Sequence, residues 1–169
     1  GFWLSETPHV TGSSSWDSAC VRLANWVRLR DRETGVDFRY VNTHLDHVGQ
    51  TAREEQARLI VEDAAAYPAR YPQLLTGDMN CDGANAALER FRQGGWKDTH
   101  AALHGDTNPD TFHGFRGADD DGSSGKIDWI FARGPVTPTA SQIIREEQNG
   151  HYMSDHDFVW ADVKLNTAE

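Results

Sequence analysis

Leu74-Leu75-Thr76-Gly77-Asp78-Met79-Asn80 decides how this chain is built. A short apolar run closed by glycine reads as a buried strand, and its end delivers Asp78 and Asn80. Residues separated by one position on an extended segment face the same side. A carboxylate and an amide therefore share one side of a strand end. That pairing suits an attacking water: the Asp accepts its proton or orients it, and the Asn fixes the water or the group attacked. Gly-Asp-Xaa-Asn is also ordinary turn chemistry that can cap a following helix. On these residues alone both readings stand.

Working outward, residues 19–30 and 36–43 read as strands joined by the hairpin signal Glu33-Thr34-Gly35. Thr51-Ala52-Arg53-Glu54 has the capping-box pattern and opens a helix to about residue 67, ended by Pro68 and Pro72. A second helix is expected over residues 84–93, stopped by Gly94-Gly95. After a loop-rich stretch, residues 127–132 and 158–165 read as strands, with another over 139–147. Strands outnumber helices, which predicts a mixed α/β (α+β) chain with sheets packed together and helices outside.

Length and composition set the frame. The 169 residues, 38% of them hydrophobic with six Trp and seven Phe, make one packed domain over 1–169. No apolar run approaches the roughly 18 residues of a transmembrane helix. Gly1-Phe2-Trp3-Leu4-Ser5-Glu6 lacks the basic start of a signal peptide, and the compartment stays open. A net charge of −10 disfavours long nucleic acid and anionic membranes as partners. Were the partner a phosphate compound, as the resemblance described below implies, the same charge would favour a small phosphorylated metabolite, nucleotide or lipid headgroup over long DNA. Cys20 and Cys81 lack zinc-type spacing and read as free thiols, and Asp119-Asp120-Asp121 reads as a solvated loop.

Three further clusters sit beside apolar runs: Asn42-Thr43-His44-Leu45-Asp46-His47, Lys126-Ile127-Asp128-Trp129-Ile130-Phe131, and Ser154-Asp155-His156. An unpartnered carboxylate within an apolar strand is expensive, so Asp128 needs a partner. His44 is either a strand-end histidine satisfied by backbone or a group that meets substrate. Thr111-Phe112-His113-Gly114-Phe115 places two aromatics around a His in a loop. Phe112 and His113 suit packing against a substrate's organic part; in the alternative, Phe112 and Phe115 simply fill core. His47 has no assigned role, and the His-x-x-His spacing lacks the companions of a zinc site.

Together with Gly77-Asp78-Met79-Asn80, these clusters resemble, in order, the endonuclease/exonuclease/phosphatase superfamily. The resemblance implies a deoxyribonuclease-like sandwich of two sheets flanked by helices. It implies a Mg²⁺- or Mn²⁺-dependent hydrolase that cleaves a phosphate mono- or diester by in-line water attack. Asp155 would belong to the metal environment and His156 to the phosphate, as base or as electrostatic stabiliser. Asp128 would hydrogen-bond His156, and His44 would approach a phosphate oxygen or the leaving group. Phe2-Trp3-Leu4-Ser5-Glu6-Thr7-Pro8 is similar to a segment of bacterial members, with Glu6 structural rather than a ligand.

The likeness runs from Phe2 to about Val163. The family's earlier Asn and Glu, the latter a metal ligand, have no counterpart before Asn42. The expectation is therefore a partial domain, its C-terminal two-thirds, without the first strands. An N-terminal segment or separate chain would complete it. The competing expectation is a non-catalytic binding or scaffolding fragment of the same fold that has lost its metal site.

Overall fold

Phe2–Trp3 forms β1 against the start of β2 (Leu23–Arg30), which pairs antiparallel with β3 (Asp37–His44). These elements come from a computed structural model describing residues 1–107 and 109–166. β2 begins later than the pattern suggested, because the backbone of Ala19 and Cys20 donates to the Asp46 carboxylate instead of to a neighbouring strand.

Helix α1 (Gln50–Ala65) follows, and its capping differs from the sequence pattern. Thr51 lies inside the helix, and Gly49 at the N-cap offers no side chain. The Asp17 carboxylate, brought from far upstream, accepts from Ala52 N at 2.7 Å and Thr51 N at 3.3 Å. Free amides at a helix start need such acceptors, and a remote carboxylate serves as well as a local one. The helix buries Ala52, Gln56, Ala57, Ile60 and Ala64, one stripe of mostly small side chains that lets it lie close to the sheet.

The crossover through α1 makes β4 (Gln73–Asp78) parallel to β3. Helix α2 (Ala86–Gln93) is capped by the Asn85 side chain, which accepts from Ala87 N. The stretch read as loop contains β5 (Lys97–Asp98), α3 (Ala101–His104) and a 3₁₀ turn at Gly117–Asp119. β6 (Asp128–Arg133) inserts between β4 and β5, giving the sheet order β1-β2-β3-β4-β6-β5. β7 (Val136–Ile144) pairs with β10 (Phe158–Leu165) as a second sheet lying against β6. β8 (Glu147–Gln148) and β9 (His151–Tyr152) form a small hairpin. The result is a mixed α/β fold of two sheets with helices on the outside of the larger one.

The core lies between that sheet and the helices. Leu4, Val41, Leu45, Ile60, Leu75, Leu88 and Phe91 are buried there, and Trp129 stacks on Phe131 with ring centroids 5.4 Å apart. Arg39 is also fully buried. Its guanidinium lies 4.9 Å from the Trp26 and Tyr67 ring centroids and pairs with Asp63. The opposite face of β2 has no such cover: Val27 is 50% and Leu29 45% exposed. Register places them across from Tyr40 and Phe38.

Gly77 explains how tightly β3 and β4 approach. Its φ is 149°, and a Cβ there would sit 1.8 Å from the Thr43 carbonyl oxygen. Any side chain would push the two strands apart next to the point where both end.

Candidate active site

Register builds the site. His44 ends β3 opposite Asp78, which ends β4, and Asp78 lies opposite Asp128 at the start of β6. Directly opposed residues on neighbouring strands project to the same face. Three polar side chains thus line up at one end of the sheet. His156 arrives from the loop before β10, fixed by an isolated bridge to Phe112 and by His156 N donating to Ser154 Oγ at 3.1 Å.

The four groups form a chain. His156 Nδ1 donates to Asp128 Oδ2 at 2.8 Å, which leaves Nε2 toward Asp78 Oδ2 at 4.0 Å. The same Asp78 oxygen is 3.2 Å from His44 Nε2. Asp128 has the partner that its apolar strand requires. Burial pushes its pKa up, opposed by the hydrogen bond and charge of His156. Burial works against a charged His156 ring too. The hydrogen bond and charge of Asp128, with Asp78 and Asp155 nearby, outweigh it and raise the pKa. His44 shifts the other way. Its burial dominates the attraction of Asp78, and Arg22, His156 and His47 add repulsion, so its pKa falls. Two imidazoles flank one carboxylate, one pushed toward the cation and one toward the neutral ring.

Asn80 stands beside them with φ 49°, a left-handed conformation that Asn tolerates better than most residues. Its N–H donates to Asp78 Oδ1 at 2.7 Å and its side-chain amide to the Leu45 carbonyl at 2.9 Å. It therefore joins the ends of β3 and β4 as well as facing the cleft. Two hollows meet at Asp78 and His156. One, of about 260 Å³, is lined by Asn80, Cys81, Phe112 and Ser124; the other, of about 350 Å³, runs past Tyr40, Thr76 and Asp128. Cys81 is buried, and burial pushes its thiol up to about 12.

The remaining sequence candidates divide. Phe112 reaches the site, its ring edge-on to His156 with centroids 4.8 Å apart. His113 departs from the expectation of a substrate contact. It is 1% exposed, packs on Tyr152, accepts from Gly117 N at 3.4 Å and lies 3.7 Å from Asp157. An enclosed ring with its partners in place is wall rather than binding surface. Asp155 uses its carbonyl to accept from His113 N and Gly114 N, and no hydrogen bond engages its carboxylate among the described residues. The atoms of Asp78, Asp128 and His156 lie within 4.8 Å of one another, a group that could hold a metal ion. A second such group, Cys20, Asp46 and His47, is compromised: Asp46 is fully buried with five donors on its two oxygens.

Sequence reasoning missed Thr111, whose hydroxyl accepts from both Ile127 N and Asp128 N. It also left Asp46 unassigned. A Thr in a loop and an Asp in a turn carry no pattern that separates them from solvated neighbours.

A sheet whose adjoining strand ends gather two carboxylates and two imidazoles is the frame of an acid–base site on an α/β scaffold. The model of the endonuclease/exonuclease/phosphatase family matches residues 4–156, and the chain belongs to that family. Among solved structures, an endonuclease/exonuclease/phosphatase from Bacteroides vulgatus is 34% identical with a TM-score of 0.86, covering 98% of this chain and 64% of its own. A mannosyl-6-phosphatase from Bacteroides thetaiotaomicron is 28% identical with a TM-score of 0.79, over 96% of this chain and 64% of its own. A humanized D. rerio TDP2, 20% identical over 88% of this chain and 63% of its own, has a TM-score of 0.67 and shares the fold. The chain thus spans 64% of the length of the first two structures. No curated protein matches it.

Proposed function

We propose that this chain carries the catalytic face of a divalent-metal-dependent phosphoesterase, as part of a larger domain. The observation that supports it most is the unbroken sequence of contacts Asp128–His156–Asp78–His44 along one end of the sheet. Asp78 takes a proton from, or orients, a water that attacks phosphorus in line with the departing oxygen. Asn80 holds Asp78 and the adjoining loop in place. His156, kept toward its cationic form by Asp128, faces the charge that builds on the transferring phosphoryl group. A neutral His44, its Nε2 3.2 Å from the Asp78 carboxylate, stands beside the departing oxygen.

The donor set fits Mg²⁺ or Mn²⁺. Such an ion needs only one or two protein carboxylates and keeps several waters. Asp155, whose carboxylate has no hydrogen-bond partner among the described residues, would hold it together with waters, since Asp128 is committed to His156 and Asp78 to the attacking water. When bound, the ion supplies positive charge to the phosphoryl oxygens. The 28% identity to a mannosyl-6-phosphatase, with the acidic charge of −10, favours a small phosphomonoester such as a sugar phosphate over long nucleic acid.

Turnover of a sugar 6-phosphate, a nitrophenyl phosphate and a bis-nitrophenyl phosphate decides this reading. Activity with Mg²⁺ that disappears on chelation is the expected result. No turnover with Mg²⁺ or Mn²⁺, in this chain or in one extended at its N-terminus, would leave the binding-fragment reading in its place.

A further inference from the structure

We infer that Thr111 is a positioning residue of the site: its side chain holds the strand carrying Asp128, and its backbone holds the segment carrying His156. The inference rests on the proposed function for its kinetic consequence but not for its geometry. Thr111 is fully buried. Its Oγ1 accepts from Ile127 N at 3.0 Å and Asp128 N at 3.1 Å, so two consecutive amides at the start of β6 converge on one oxygen. Its carbonyl accepts from Asp157 N at 2.9 Å, and its own N–H donates to the Gly125 carbonyl at 3.2 Å. The next residue, Phe112, forms the bridge to His156.

Asp128 and His156 sit on segments that do not pair with each other. Asp128 opens a strand bound to β4 on one side and β5 on the other. His156 precedes a strand of the other sheet. Their 2.8 Å contact therefore depends on whatever sets the spacing between the two sheets at this point. Thr111 meets both. Its hydroxyl fixes the backbone of Asp128, and its carbonyl fixes the residue after His156. Shells of this kind around reacting groups commonly carry about 10- to 100-fold in activity.

Thr111→Val keeps the shape and removes the hydroxyl, and Thr111→Ser keeps the hydroxyl and removes the methyl. Crystal structures of both, with kcat and KM for a turned-over phosphomonoester, form the test. We expect Thr111→Val to lengthen the Nδ1–Oδ2 contact beyond hydrogen-bonding range. It should lower kcat about 10- to 100-fold with KM within about twofold. Thr111→Ser should restore both. An unchanged contact in Thr111→Val, or a loss shared by the Ser variant, overturns the inference. Should Thr111→Val fail to fold, amide exchange in the wild-type chain decides: Ile127 and Asp128 must be protected as strongly as Trp129. Exchange at the rate of loop amides refutes the clamp. Were the chain inactive on every ester, the proposed function would fall, and the crystallographic contact would still judge Thr111.

Discussion

Asp46 draws donors from two separate segments: Ser18 Oγ, Ala19 N and Cys20 N on one oxygen, Val48 N and Gly49 N on the other. Burial pushes this carboxyl's pKa up, but the backbone amides of Gly49, Val48, Cys20 and Ala19 prevail and hold it well below the usual carboxylate range. A depressed folded-state pKa means stabilisation that is complete above the unfolded pKa of about 3.9 and lost as pH falls toward the folded value. Asp46→Ala should therefore cost about 3 kcal/mol or more at neutral pH, since five donors, one buried and four partly buried, lose a charged acceptor. In urea titrations, the gap between wild type and variant should stay constant from about pH 5 to 8 and close below about pH 3.9. A gap that persists undiminished at about pH 2 would show that the charge is not what stabilises.

Asp128→Asn tests the neighbouring pair. The amide keeps the volume but gives the His156 ring a weaker partner. We expect turnover to fall about 10- to 100-fold, with urea stability changed by less than about 1 kcal/mol. Wild-type turnover across pH would remove Asp128 from the proposed mechanism. At this scale, the sequence exposed residues whose chemistry conflicts with their surroundings. Asp128 in an apolar strand is one: the conflict demands a partner, and the family resemblance names it as His156. It could not show that His113 is enclosed, because a His between two Phe residues looks the same whether the loop faces in or out.

Among the elements, β3 and β4 set the precision of the site. Gly77→Ala would place a methyl carbon where the Thr43 carbonyl oxygen already lies, 1.8 Å away. It would also force an alanine to φ 149°. The strands must separate one residue before His44 and Asp78. The expected cost is about 2–4 kcal/mol, measured by urea or thermal unfolding, with activity lost beyond what the unfolded fraction explains. A fully stable and active Gly77→Ala protein would mean that the strand ends tolerate more movement than the site allows.

The long strands were legible because their alternation is local: residues 158–165 were placed correctly from pattern. The start of β2 and the cap of α1 were not, because Asp46 and Asp17 reach them from distant positions. β5, β8 and β9 are two-residue strands with no sequence period to read.

Taken whole, the molecule is well covered on the helical side of its large sheet and thinly covered on the other. Val27 and Leu29 stand half exposed there, and exposed apolar sheet surface invites association. Any concentration-dependent self-association of this chain in sedimentation experiments should fall with Val27→Thr and Leu29→Thr, with the melting temperature changed by no more than a few degrees. Unaltered self-association would place the sticky surface elsewhere. The two-sheet architecture itself followed from the family resemblance. Pattern alone gave a mixed α and β chain, since no local signal says which sheet a strand joins.

Cys81 turns the cleft into something that can be timed. Cys81 lines the same hollow as Asp78, Asn80 and Phe112, and burial lifts its thiol to about 12, which leaves almost no thiolate at neutral pH. Cys20 is on the surface and reacts first with any alkylating reagent. Once Cys20 is blocked, a second, slow modification can occur only when the cleft floor breathes open. Its rate, followed by mass spectrometry, is a clock for that opening. A ligand that settles over Asp78 should slow the clock in proportion to its occupancy. Candidate substrates could then be ranked by protection of a single sulfur, before any turnover has been detected.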